Sequence, residues 1–367
     1  MPVGAWVGAQ AGWAALPLRA RLRVIRAFRR AAAAQALALA ATAARPAMSR
    51  ADILVAEVLP LLAAARFLER RGAHILRDRA PRGRPLWLFG TRLIIRRLPL
   101  GVVLVIGPAN YPLFLPGAQA LQALVAGNAV LLKPAPGTAG PMHALAALLA
   151  RAGLPAGVLT VLPEDPAIVR EVVAAGVDKV LLTGSSATGR AVAPVLAEAG
   201  VPAVMELSGE DPLLVLPGAD AALVAAAIAY GGALNGGNTC IAPRRILRVG
   251  TSEVPDIDAA VAAANAGAHV LGASVFGPRA AALACARRLR AGCVTVNDLI
   301  VPTADPRLPF GGAGASGHGT TRGAEGLLEL TRPQAVTVST RRSARHLRTL
   351  PERWAPRVAW VLRRLYG

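Results

Sequence analysis

From Gly101 to Gly209 short apolar runs alternate with longer amphipathic stretches, and this rhythm restricts the fold more than any other feature of the chain. GVVLVIG (101–107), AVLLKP (129–134), GVLTVLP (157–163), DKVLLTG (178–184) and PAVMELSG (202–209) read as buried strands. The spacing predicts a helix reaching Val125 and closed by Gly127, then helices over 138–152, 165–175 and 186–199. Strands that are apolar throughout and separated by helices need crossover connections, so their sheet must be parallel. After Ser208 a second set follows: PLLVLP (212–217), a helix over 219–233, RRILRV (244–249), a helix over 256–266, GASVFG (272–277), a helix over 278–291 and CVTVND (293–298). An α/β protein with a change of domain near residue 208 is expected.

The flanks read differently. Residues 14–80 carry apolar side chains at helical spacing, most clearly Leu54, Val58, Leu61, Leu62, Ala65 and Leu68, with Pro60 expected to kink that helix. Residues 83–99 (GRPLWLFGTRLIIRRLP) suggest a β-hairpin or a protruding strand pair. Leu98–Leu132 is free of charge, yet Gly107, Pro108, Asn110, Pro112, Pro116 and Gly127 would break a spanning helix. A strand, a turn and a helix fit it better.

Charge narrows the partners. The net charge of +20 is concentrated in residues 1–100 (18 basic, 4 acidic) and 341–367 (8 basic, 1 acidic), while the middle is nearly neutral. That argues against a nucleic-acid groove through the main body and leaves open a basic surface for anionic lipid or an acidic partner. The three cysteines, Cys240, Cys285 and Cys293, form no C-x-x-C pattern. Neither a disulfide framework nor a metal site is expected, a reducing compartment is the simplest setting, and no signal peptide is read at the N-terminus.

Five stretches carry chemistry. In YGGALNGGNTCIAPRR (230–245), Cys240 follows small and amide-bearing residues that bring backbone close to something and leave little bulk around the sulfur. LLTGSSATGR (181–190) places Gly184, Ser185 and Ser186 at a strand-to-helix turn whose free amides suit a pyrophosphate, although any such turn looks similar. Lys133, one of only two lysines, ends a strand where ligands bind in open α/β sheets; a solvated lysine is the plain reading. Asn110, rigidly held between prolines, could donate to an oxyanion, or be an ordinary turn residue. Glu206 ends an apolar strand, where desolvation would raise its pKa and make it a base near neutral pH, unless it merely pairs with an arginine. No histidine falls in these stretches, so no Cys-His dyad is suggested. Cys285 and Cys293 read as core.

Six segments in series, GPANYP (107–112), AGNAVLLKP (126–134), LTGSSATG (182–189), MELSG (205–209), NGGNTCIAP (235–243) and LPFGGAGASGHG (308–319), resemble the aldehyde dehydrogenase superfamily, nearest its fatty-aldehyde branch. The resemblance implies a Rossmann-like cofactor domain with N-terminal helices (1–207), a shortened α/β catalytic domain (208–319), a return segment with an oligomerisation strand (320–340) and a basic tail (341–367). It implies a homodimer through the small hairpin, a cytoplasmic setting and NAD or NADP as cofactor. It implies that Cys240 is the nucleophile and Asn110, with the Cys240 amide, the oxyanion holder. Glu206 would activate water. Lys133 would meet the adenosine ribose, Gly184, Ser185 and Gly189 the pyrophosphate turn, and Gly209 and Phe310 the nicotinamide and substrate region. Backbone amides are expected to favour the Cys240 thiolate.

The chain departs from that pattern in places. Pro136 stands where an acidic residue usually follows the lysine, which leaves NAD against NADP open. Asn238 replaces a common Gln, and Ser208 a Gly. After RRILRVG (244–250) the chain passes almost directly to DIDAAVAAANAGAHVLGASVFG (256–277), without a segment whose Glu would hold the nicotinamide ribose. Two alternatives to a hydrolytic aldehyde dehydrogenase follow: a degenerate nucleotide-binding scaffold, or an acylating relative, against which Glu206 argues. In the tail, Arg with Trp354, Trp360 and Tyr366 suits a membrane surface, whereas a solvated helix packed on the body or on a second subunit is the plainer reading.

Overall fold

The computed structural model describes residues 3–83, 90–339 and 349–367. Helices α1 (Val3–Ala15), α2 (Leu18–Ala34), α3 (Ala36–Thr42), α4 (Arg50–Ile53) and α5 (Leu59–Ile75) come first. The helical region thus begins earlier than residue 14. Trp13 is buried and its indole N–H donates to the Leu124 carbonyl at 2.8 Å. Pro60 sits in the first turn of α5, directly after a π turn at Leu54–Val58. The wider turn takes up the break that a proline forces on a continuous helix.

The alternating region forms β2 (Val102–Ile106), α6 (Phe114–Ala126), β3 (Ala129–Lys133), α7 (Ala139–Arg151), β4 (Leu159–Val161), α8 (Ile168–Gly176), β5 (Lys179–Thr183), α9 (Ser186–Ala199) and β6 (Ala203–Glu206), preceded by β1 (Thr91–Pro99). Gly127 closes α6 with φ 98°, a left-handed cap that a side chain would strain. Then come β7 (Asp211–Val215), α10 (Ala221–Ala233), β8 (Pro243–Arg248), α11 (Ile257–Asn265), β9 (His269–Val270), β10 (Gly272–Phe276), α12 (Arg279–Ala286), β11 (Cys293–Val296), β12 (Ala313–Gly314), β13 (Gly317–His318), α13 (Gly323–Glu329), β14 (Thr331–Ser339) and α14 (Ala355–Tyr366).

The first sheet runs β13-β6-β5-β2-β3-β4, with β4, β3, β2, β5 and β6 parallel. Its register aligns Ile106 with Lys133 and Thr183 with Glu206, so the carboxyl ends of four strands converge. β13 returns antiparallel and places Gly317 opposite Glu206. Lys179, the second lysine, is ion-paired with Glu329 of α13 and so ties β5 to that helix. The second sheet, β11-β10-β7-β8, is parallel as well. Despite the missing segment it keeps a core: Leu214, Val275, Ala282 and Cys285 are fully or almost fully buried. The short link between β8 and α11 is a turn in which the Gly250 amide donates to the Val254 carbonyl at 2.9 Å. β8 closes the sheet as an edge, with alternate residues exposed.

Both sheets lie in one compact unit, Met1–Arg77 with Arg97–Arg332. A second unit, Asp78–Arg96 with Pro333–Gly367, holds most of β1 and β14, which pair with each other. The expected hairpin therefore has β14 as the partner of its second arm; residues 84–89 of it lie outside the described residues, as do 340–348 of the return strand and tail. Every residue from Thr349 to Gly367 is exposed. Among the described residues no helix is long and apolar enough to cross a membrane.

Candidate active site

The residues singled out from the sequence gather, with one exception, along the converging strand ends. A crevice of about 1240 Å³ is lined by Lys133 at the end of β3, Gly184 and Ser185 after β5, and Glu206 and Gly209 after β6. Asn110, Cys240 and Phe310 line the same crevice. Gly189 does not: a Cβ there would lie 2.6 Å from Leu207, so its missing side chain serves the packing of α9 on the loop after β6. Gly209 has a different reason to be bare. A Cβ would fall 2.5 Å from both the Cys240 carbonyl oxygen and Asp211 Oδ1.

The crevice offers a cation and a helix start. Burial lowers the pKa of Lys133, while Asp165 and Glu164 raise it in part. Ser185 is the N-cap of α9 and accepts from the Thr188 amide at 3.0 Å. The Ser186 amide donates to Ser208 Oγ at 3.2 Å, so the serine at the unusual position closes one of the free donors of that helix. A buried lysine, a capped helix N-terminus and a volume of this size fit a phosphate-bearing dinucleotide.

Cys240 stands at the junction of two spaces. It lines the crevice and also a smaller cavity of about 120 Å³ walled by Phe114, Leu115, Ile241, Ile300 and Phe310. The backbone before it is wound left-handed at three successive residues: Asn235 (φ 53°), Gly236 (φ 60°) and Gly237 (φ 76°). Glycine and asparagine tolerate this region, so the small residues before Cys240 are required by backbone conformation as much as by space. The thiol is not an anion at rest. Burial, then the nearby Glu206 and Asp211, push it up to about 12, against Arg322, which pulls it down. This corrects the expectation that backbone amides hold a thiolate: desolvation and the nearby carboxylates raise its pKa, and the group that lowers it is Arg322.

Glu206 is buried and its pKa is raised by desolvation, as expected for a carboxylate at an apolar strand end. It is also held. Thr321 Oγ1 donates to Oε1, and Thr183 Oγ1 donates to Oε2 at 3.2 Å. Arg322 adds a favourable charge without a hydrogen bond. Asn110 Nδ2 donates to the Asn238 carbonyl at 2.6 Å, which points the amide into the Cys240 loop.

Sequence reading missed the layer behind these groups. Glu57, fully buried in the π turn, accepts from the Leu113 and Phe114 amides at 2.7 and 3.0 Å and pairs with Arg45. Arg45 Nε donates to Asn235 Oδ1 at 2.8 Å, and Asn235 Nδ2 donates to the Asn110 carbonyl at 2.9 Å. Tyr111 and Thr239 share a hydroxyl hydrogen bond at 2.6 Å. A lone acid inside the apolar run ILVAEVLPLL (53–62) was the available signal for Glu57; the others had none.

The aldehyde dehydrogenase family matches this chain over residues 4–253 and 249–336, and the chain belongs to that family. It is 37% identical over 197 residues to a 4,4'-diapolycopene aldehyde oxidase of Methylomonas, covering 54% of this chain. It is 39% identical over 197 residues, 53% of this chain, to a geranial dehydrogenase of Castellaniella defragrans. The matches span only 37% and 41% of those relatives' own lengths. A solved aldehyde dehydrogenase of Mycobacterium tuberculosis complexed with NAD+ superposes with a TM-score of 0.84 at 21% identity, covering 93% of this chain and 90% of that one. An NAD-dependent aldehyde dehydrogenase of Sinorhizobium meliloti gives 0.82 at 24% identity, covering 93% and 87%. At such identities the likeness speaks for the fold.

Proposed function

We propose that the chain oxidises a hydrophobic aldehyde to the carboxylic acid with NAD or NADP, through covalent catalysis at Cys240. The observation that carries the reading is the position of Cys240, open both to the crevice that Lys133, Ser185, Asn110 and Glu206 line and to an apolar cavity. A bound nicotinamide supplies the acceptor for the aldehyde hydrogen. The chain's own groups do the rest. Cys240 Sγ gives its proton to solvent water and bonds to the carbonyl carbon as a thiohemiacetal, whose oxyanion takes a donor from Asn110 Nδ2 in exchange for the Asn238 carbonyl. Once the hydrogen has left with its electron pair a thioester remains. Glu206 takes a proton from water, which adds to the thioester carbon and releases the acid and the Cys240 thiol.

The names of two relatives, a 4,4'-diapolycopene aldehyde oxidase and a geranial dehydrogenase, support an apolar substrate, as does the lining of the smaller cavity. Lys133 would meet the adenosine ribose, and the Ser185–Thr188 turn the pyrophosphate. NAD and NADP both remain in the proposal: one relative is named for NADP+, and a neighbour was solved with NAD+. Self-association through the β1–β14 ribbon, and peripheral contact of α14 with anionic lipid in a reducing compartment, belong to the same proposal; the exposed apolar residues Val358, Val361, Leu362 and Leu365 support the latter.

The test is NAD(P)H formation from aldehydes of increasing chain length, geranial among them, by wild type and Cys240→Ala. The proposal expects turnover that the substitution removes. Activity surviving in the variant overturns it, and nucleotide binding without any turnover by wild type favours the scaffold reading.

A further inference from the structure

Nothing in the sequence sets Arg322 apart from the other arginines, but its surroundings do. It is 8% exposed, a rare state for an arginine without a hydrogen-bonded carboxylate. Its backbone lies at φ 58°, ψ 179°, a region that essentially only glycine occupies, and such strain persists where packing over-determines it and clusters at functional sites. The guanidinium is clamped: it lies 4.0 Å from the centre of the Phe310 ring and 5.9 Å from that of Phe114. Nη1 donates to the Thr303 carbonyl at 2.6 Å, and Nε is buried without a partner. Arg322 lines the apolar cavity beside Cys240.

The charged and titratable neighbours of Cys240 come from every side. Glu206 ends β6, Asp211 starts β7, Cys293 starts β11, and each of these disfavours an anion on the sulfur. Tyr111, ahead of α6, is coupled to it as well. Against them stands Arg322, ahead of α13, a cation that cannot be discharged in a protein. Glu206 spends its oxygens on Thr321 and Thr183, so it does not neutralise the guanidinium by contact.

We propose that Arg322 is the counter-charge of the site: clamped over Phe310 and kept free of a direct ion pair, its guanidinium favours the anion at Cys240 Sγ and so readies the sulfur for attack. The inference rests on the reading of Cys240 as nucleophile, but its test does not depend on turnover.

The experiment follows alkylation of Cys240 by iodoacetamide in the cofactor-free protein from pH 7 to 9, read by mass spectrometry of the Cys240 peptide, which keeps Cys285 and Cys293 out of the signal. The step forms an S–C bond, expels iodide and passes the thiol proton to buffer. Removing one opposite charge beside the thiol slows alkylation about tenfold at a given pH. Folded R322M and R322Q are both expected to show that loss. R322K keeps the cation though not the stacked fork of arginine, and is expected to lose less than the tenfold of the neutral variants. A glutamine variant that alkylates like wild type assigns Arg322 to packing and its Thr303 contact, and overturns the proposal. Should neither neutral variant fold, R322K decides: a tenfold loss there overturns it as well. Failure of the nucleophile reading is seen separately, as turnover that survives Cys240→Ala.

Discussion

Asn235 and Asn110 hold each other's loops from 125 residues apart in sequence: Asn235 Nδ2 donates to the Asn110 carbonyl at 2.9 Å, while Asn110 Nδ2 donates onward to the Asn238 carbonyl at 2.6 Å. The loop that carries Asn110 and the loop that leads into Cys240 are therefore fixed to one another. Asn110→Ala is expected to lower kcat by about a hundredfold or more, the usual loss on removing one oxyanion donor, with little change in KM. Asn235→Ala removes only the brace and should lower kcat less. Steady-state kinetics at saturating cofactor separate the two; equal losses in KM alone would contradict the assigned roles.

Glu57 lies two layers from the sulfur, yet both Asn110 and Tyr111 depend on the loop it anchors. Glu57→Leu leaves Arg45 and two backbone amides without their acceptor, so a loss of stability on the order of 3–5 kcal/mol is expected. Glu57→Gln keeps an acceptor and should cost less. Urea unfolding with matched slopes checks both.

Asp211 is buried beside the Cys240 carbonyl, and neither of its oxygens has a hydrogen-bond partner, although the Gly272 amide lies close enough to temper its charge. Burial pushes its pKa up to about 8. A carboxyl whose folded pKa exceeds its unfolded value binds its proton more tightly when folded. Its contribution to stability is present below the unfolded pKa, near 4, and is lost as pH rises to about 8. Asp211→Asn should therefore melt higher than wild type at pH 9, with the gap closing toward pH 4. Thermal scans across that range test the sign.

The tail offers a prediction about surfaces. In α14 the exposed Val358, Val361, Leu362 and Leu365 share one side, while Arg357 and Arg364 stack near Trp354 and Trp360. The full chain is expected to sediment with anionic vesicles at low salt and to be released by high salt; deletion of residues 349–367 should abolish most of that binding. Equal binding to neutral vesicles would refute the electrostatic part.

Much of the architecture was legible because the parallel strands are buried on both faces. Such strands must be apolar end to end, and VVLVI and VLLK announce themselves. Helix ends were less legible. α12 was expected to run to residue 291 but stops at Ala286, because Asn265 at the end of α11 accepts from the Arg290 amide and donates to the Arg288 carbonyl. That contact is tertiary, and no local propensity encodes it.

The candidate site divides in the same way. Glu206, Lys133 and Asn110 were readable because each stands at or just after the carboxyl end of an apolar strand, where parallel sheets place ligands, and Cys240 because it follows a glycine-rich run. The sequence alone thus determined the α/β order of elements and brought forward several of the side chains that line the crevice, though not Arg45, Asn235 or Thr239. The tertiary structure decided what those side chains are: a thiol kept neutral by burial, a carboxylate held by two threonines, and an arginine wedged beside them by a strained turn. The physical reason is that pattern and propensity act over a few residues. Desolvation and charge at Cys240 are set by Glu206, Asp211, Cys293 and Arg322, which only folding brings to one place.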